Sequence, residues 1–148
     1  MQVLETPFQI TLTLALIVGA VYAIWRGGRP ERSAMIGLVI ASLASPLVQN
    51  GSNGEATQWS IMAVDAVYLL QLVWLTSRFD RAWLMWAAAF QLLTVMTHVG
   101  MELNFALHGR GYIASSYVLF IGVLAAILYG AARPARPADD AAGRHRRG

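Results

Sequence analysis

Asp65 is the residue of this chain that most needs a chemical explanation. It stands inside the apolar run Trp59–Ser77, where a carboxyl group is costly and ordinarily faces a bundle interior or a wet cavity. Counted from Trp59, it lies roughly 9 Å along a helix axis. Tyr68 follows one turn later. In the next apolar run Gln91, Thr94, His98 and Glu102 recur at three- and four-residue spacing, which sets them on one stripe of a helix. An acid, an imidazole and hydrogen-bonding companions could bind a polar ligand or pass a proton, because histidine changes charge near neutral pH. Asp65 fits equally well as a carboxyl tied to neighbouring helices. Gln71, Gln91 and Thr94 fit interhelical hydrogen bonds, which contribute roughly 1 kcal/mol or less each.

These groups meet only if the helices that carry them are paired. The link Arg78–Arg81 is short, so the third and fourth runs should form an antiparallel hairpin. Asp65 lies fifteen residues before Asp80 and His98 eighteen after it; their heights then differ by only about 4–5 Å. Gln71 and Gln91 come out nearly level by the same count. Asp65 and Gln71 are roughly 120° apart around their helix, so that helix must touch more than one neighbour. Ser42, Ser45 and Gln49 lie on one stripe of the second run, and the fifth begins with Tyr112, Ser115 and Ser116. A polar pocket is expected in one half of the bundle, with Asp65 and His98 at its base and Glu102 nearer its mouth. The other half reads as almost purely apolar.

Composition says what solvent surrounds this bundle. Of 148 residues, 57% are hydrophobic and 13% charged, against roughly 25% charged in a soluble domain. Five runs have the length and composition of membrane helices: about 8–25, 33–48, 59–77, 82–103 and 112–132. A crossing takes about 20 apolar residues. The second run is short and carries Pro46 near its end, so it should tilt, kink or stop short. The runs are too long, and too lacking in alternation, for barrel strands. The expected fold is an all-α integral membrane bundle, with a Pro-, Ala- and Arg-rich disordered tail over 133–148. The segment before the first run carries Glu5 and no arginine, unlike a cleaved signal, so that run reads as a retained span.

Every one of the 11 basic residues is arginine, and their placement sets an orientation. Arg26, Arg29 and Arg32 precede the second run, Arg78 and Arg81 precede the fourth, and Arg133, Arg136, Arg144, Arg146 and Arg147 follow the fifth. Arg110 alone falls on the other side. Short arginine-rich loops stay cytoplasmic, so the N-terminus should lie outside and the tail inside a bacterial inner membrane. Arg26, Arg29, Arg32, Arg78, Arg81, Arg133 and Arg136 are the expected contacts to lipid headgroups. Trp25, Trp59, Trp83, Tyr112 and Tyr129 fall near helix ends, where such rings favour the interface. Rows of small residues (Ala15, Gly19, Ala23; Gly37, Ala41, Ser45; Gly122, Ala126, Gly130), with Ala87–Ala89, should let helices approach closely.

The stretch Arg81–Gly100 has an aromatic-rich start, the triplet Ala87–Ala89, then Phe90-Gln91-Leu92-Leu93 and Thr97-His98. It resembles a segment of small multipass membrane proteins from alphaproteobacteria, which also carry an acidic residue, here Asp65, in the preceding helix. The likeness spans Ile61–Tyr129 and implies a multipass membrane protein without pointing to an activity.

Several function classes fall away. Cysteine is absent, which removes disulfides, thiolate metal sites and a cysteine nucleophile. The arginines form no face interleaved with stacking aromatics, so nucleic acid is not an expected partner. His98 and Glu102 could share a metal with Asp65, but no recognised ligand spacing supports it, and a haem would lack a second in-span axial histidine. No serine lies in a nucleophile elbow. No cofactor, metal or catalytic residue is expected. What remains is a non-enzymatic accessory or binding component, touching lipids and working with other membrane proteins or copies of itself. The alternative is a small proton-coupled carrier or channel with Asp65 and His98 as relay.

Overall fold

The computed structural model describes residues 7–51, 55–103 and 110–133, with side chains over 9–45, 47, 59–100 and 115–133. The expected tail, Arg136 and the side chains of Glu102, Gln49 and Tyr112 lie outside that range. Five helices follow one another: α1 Pro7–Arg26, α2 Arg29–Gly51, α3 Glu55–Arg78, α4 Ala82–Leu103 and α5 Arg110–Ala132. Among the described residues there is no strand.

Four of these helices, α1, α3, α4 and α5, are long and apolar enough to cross a membrane. In α2 the structure departs from the expected run. Arg29, Pro30, Glu31 and Arg32 belong to its first turn rather than to a loop, since proline suits a helix start and the first-turn acid Glu31 suits the positive end of its dipole. The helix also continues through Pro46 to Gly51.

The links are tight where they can be seen. Gly27 and Gly28 join α1 to α2, and the Gly27 amide donates to the Ala23 carbonyl at 2.9 Å. A Cβ at Gly27 would collide with that same carbonyl oxygen and come within 2.8 Å of Glu31 Cβ; only glycine fits. Phe79–Arg81 join α3 to α4, with the Phe79 amide donating to Leu75.

The helices form a ring in chain order, closed by α1 against α5, with α2 also reaching α5. Contacts fix the directions. Ser33 meets Gln71 and Ala34 meets Tyr68, so α2 and α3 are antiparallel. Gly122 seats Phe90 and Gly130 seats Trp83, so α4 and α5 are as well. Gln9 meets Tyr117 while Gly19 meets Leu124, which makes α1 and α5 parallel. Gly19, Ala23, Gly37, Ala41, Ala87, Gly122 and Gly130 of the small-residue rows therefore work inside the molecule, whereas Ala15 and Ala89 are exposed. At Gly122 and Gly130 the notch holds an aromatic ring rather than a neighbouring backbone.

The core is one cluster that includes Met35, Leu72, Leu75, Leu84, Val123 and Ile127. The outside is apolar too: Trp25, Leu47, Val67, Leu70, Met85, Trp86 and Val118 are all largely exposed. A soluble monomer rarely shows so continuous an apolar surface, whereas lipid-facing helices require one.

Candidate functional site

Asp65 is where α3 and α4 are joined by side chains. On α4, Gln91 and His98 are seven residues apart, two helical turns on one stripe. Gln91 Nε2 donates to Asp65 Oδ1 at 2.9 Å and to the Asp65 carbonyl at 3.3 Å. His98 Nε2 lies 3.0 Å from Asp65 Oδ2, a contact that requires a proton on one of the two atoms. Each carboxyl oxygen thus has a partner of its own. Gln91 and His98 are buried, at 4% and 5% exposure, and the Asp65 side chain keeps 17%. The opening belongs to the acid.

That opening is a cavity of about 360 Å³ bounded by α2, α3, α4 and α5. Asp65, Tyr68, Gln91, Thr94 and His98 all line it, together with Ser42, Ser45 and Ser116. Glu102 lies outside the described side chains and Ser115 is exposed. Three of the hydroxyls donate to their own helices: Ser42 to Leu38 at 2.8 Å, Ser45 to Ala41 at 2.9 Å and Thr94 to Phe90 at 3.1 Å. The Tyr68 hydroxyl donates across to the Ala34 carbonyl at 3.0 Å. Phe120, Leu38 and Ile61 supply apolar wall.

Gln71 does not join this group. It donates to the Ser33 carbonyl at 2.8 Å and to Ser33 Oγ at 3.3 Å, fastening α3 to α2, while Asp65 fastens α3 to α4. The angular conflict between them is resolved by the position of α3 between those two helices. Gln71 and Gln91, level by count, face different partners.

Residues that the sequence did not single out also take part. Gln9 Nε2 donates to the Tyr117 hydroxyl at 3.2 Å. Tyr117 borders both the main cavity and a second one of about 380 Å³ against α1, shared through Ser42, Ser116, Tyr117 and Phe120. Tyr117 directly follows the noted Ser116 but points roughly 100° away from it around the helix, so no sequence signal marked it. Gln9 had none either.

The opposite end of the bundle is not purely apolar, contrary to expectation. Glu31 is buried there at 2% exposure. Its Oε1 accepts from Trp83 Nε1 at 3.2 Å, and its Oε2 has no hydrogen-bond partner among the described residues. Trp83 is correspondingly buried at 4%, not interfacial as its place near a helix end suggested; Trp25, Trp59 and Tyr129 are exposed. An acid flanked by Arg29 and Arg32 reads as solvated in sequence. Only packing reveals otherwise.

The arginines gather at this same end, where α1, α3 and α5 finish and α2 and α4 begin. Arg26, Arg29, Arg32, Arg78 and Arg133 are exposed and Arg81 is half-buried. Arg32 Nε donates to the Gly27 carbonyl at 3.0 Å. Arg78 stands over the Trp74 ring at 5.4 Å, and Arg133 over Tyr129 at 4.4 Å. Between α4 and α5 a groove of about 600 Å³ is lined by Arg81, Trp83, Trp86, Tyr129 and Arg133, with Asp80 beside them.

Among the described residues no three His, Asp or Glu side chains are grouped as metal ligands would be. The chain matches no protein-family model, no curated protein and no solved structure.

Proposed function

We propose that the protein is a five-span bacterial inner-membrane component, without enzymatic activity, that binds a small polar molecule in the Asp65–His98 cavity. The observation that carries this proposal is the cavity itself: a lining of hydroxyls around one carboxyl, in a bundle whose core cluster is mainly apolar. A polar group in the apolar part of a membrane bundle is a functional-site hypothesis by default, and here it borders space rather than packed atoms. In this orientation the arginine end faces the cytoplasm, α2 completes the fifth crossing, and the cavity opens to the outer side. The groove of Arg81, Trp86, Tyr129 and Arg133 then meets inner-leaflet headgroups. With so few helices, the bundle acts within a larger membrane complex or an oligomer of itself.

A proton-coupled carrier with Asp65 and His98 as relay is the second reading, favoured by their direct contact. Buried Leu72 and Leu75 follow Asp65 along α3 toward the arginine end, and Leu84, Val123 and Ile127 fill the same half from α4 and α5. That layer favours binding over conduction.

Single-cysteine labelling tests both parts, because the chain has no native cysteine. Ser52→Cys and Ser45→Cys should react with a membrane-impermeant thiol reagent added outside, and Arg29→Cys only with reagent added inside. Reaction of Ser52→Cys from the cytosol would overturn the orientation. An unreactive Ser45→Cys in a folded protein would close the pocket. Proton flux in liposomes that vanishes in Asp65→Asn would replace binding with conduction.

A further inference from the structure

We infer that the ligand of the Asp65 cavity is a small organic ammonium cation, an assignment that rests on the pocket reading above and narrows it to one chemical class. Five side chains of the lining, Ser42, Ser45, Thr94, Tyr68 and Gln91, have committed their donors within the bundle. The hydroxyl protons of Ser42, Ser45 and Thr94 go to the carbonyls of Leu38, Ala41 and Phe90, so these oxygens meet the cavity with lone pairs. The Tyr68 proton is committed to Ala34, and the Gln91 amide makes both of its bonds to Asp65. Asp65 accepts one bond at each oxygen, which leaves further lone pairs on both.

An occupant that satisfies such a wall must donate. Among the described residues no arginine lines the cavity, and Asp65 is the carboxyl on its wall. A carboxylate or phosphate would face the Asp65 carboxyl and the lone pairs of Ser42, Ser45 and Thr94, and an alcohol would bring a single donor. An ammonium brings donors and the matching charge. Inorganic cations fit less well, since calcium and magnesium take about six or more oxygen ligands, whereas Leu38, Ile61 and Phe120 present carbon. Those same carbons suit a short alkyl body, and Phe120 and Tyr117 bring aromatic rings, which attract cations, to the lining. A volume of about 360 Å³ is at the small end of ligand pockets, which span roughly 300–1,000 Å³.

The test uses the full chain in lipid nanodiscs, titrated calorimetrically with butylammonium chloride, sodium butyrate and butanol, with sodium chloride as control. Butylammonium alone should bind, and thermal unfolding should shift upward with its concentration. Asp65→Asn should weaken binding on the order of thirtyfold, the range for losing a charged hydrogen-bond partner. Thr94→Val and Ser45→Ala keep the shape while removing an acceptor, and each should weaken it about threefold to tenfold. Butyrate or butanol binding as well as butylammonium would overturn the cation assignment, as would an Asp65→Asn protein with undiminished affinity. Absence of heat with all three probes also overturns it; the pocket is then judged separately by Ser45→Cys labelling, which requires no ligand.

Discussion

Among the described residues the bundle holds two inward-facing acids, and they are held in opposite ways. Asp65 has a partner on each oxygen, Gln91 and His98, and still opens on a cavity. Glu31 has one partner, Trp83, one oxygen without any, and a packed surround in which a Cβ on Gly27 or Gly28 would come within 2.8–3.0 Å of its side chain. Asp65 is over-supplied with contacts yet reachable. Glu31 is under-supplied and sealed. A sealed acid whose bond fixes one indole ties α2 to α4, and that ring in turn fills the notch at Gly130 of α5. An accessible acid braced on both oxygens holds its orientation while its remaining lone pairs stay available. The first arrangement is a fastening; the second is the geometry of a binding site.

Substitutions should separate the two. Glu31→Ala is expected to have the largest effect, a loss of about 2–4 kcal/mol, because it strands the buried Trp83 N–H and leaves a void. Glu31→Gln keeps the acceptor and should lose under about 1 kcal/mol; a Gln variant as unstable as Ala would show that charge, not the indole bond, holds the corner. Gly130→Ala comes next, at about 1–3 kcal/mol by overpacking, since the new Cβ would lie 2.6 Å from atoms of a buried ring. Trp83 fluorescence should shift with it, and an unchanged spectrum would mean the ring is looser than its packing implies.

Asp65→Leu belongs to the other end of the scale. Stability in a denaturant titration should change by no more than about 1 kcal/mol in either direction, because the freed Gln91 and His98 face a cavity where water can replace the carboxyl. Butylammonium binding should disappear. A loss as large as that of Glu31→Ala would make Asp65 a second fastening. Gln91→Leu removes one brace and should lose about 0.6 kcal/mol, typical of membrane hydrogen bonds. The smallest effect is expected at Gly100, where among the described residues no neighbouring atom lies within 4 Å of an added Cβ. Gly100→Ala should be neutral or mildly stabilising through helix propensity, and a marked loss there would reveal a contact the bundle does not show.

Much of the site could be read before any coordinates. Asp65 and His98 meet at 3.0 Å because a short link and a fixed rise per residue set their heights, and Gln91 shares the His98 stripe. The helix count followed from the length of the apolar runs. Other features were not legible because they depend on what stands opposite. The level pair Gln71 and Gln91 parted because α3 turns one face to Ser33 and another to α4. Trp83 sits at a helix end like Trp59, yet only Trp83 finds a carboxyl and a glycine notch beside it.

The sequence alone determined that the chain is a helical bundle with an apolar surface, an arginine-rich end and an acid–imidazole pair of matched height. Those follow from periodicity, length and charge, which are properties of one strand of text. Tertiary structure decided which hydroxyls have spent their protons, that Glu31 is enclosed, and that space remains beside Asp65. Such facts belong to pairs of helices, because a donor is satisfied or a void left open only by the surface packed against it.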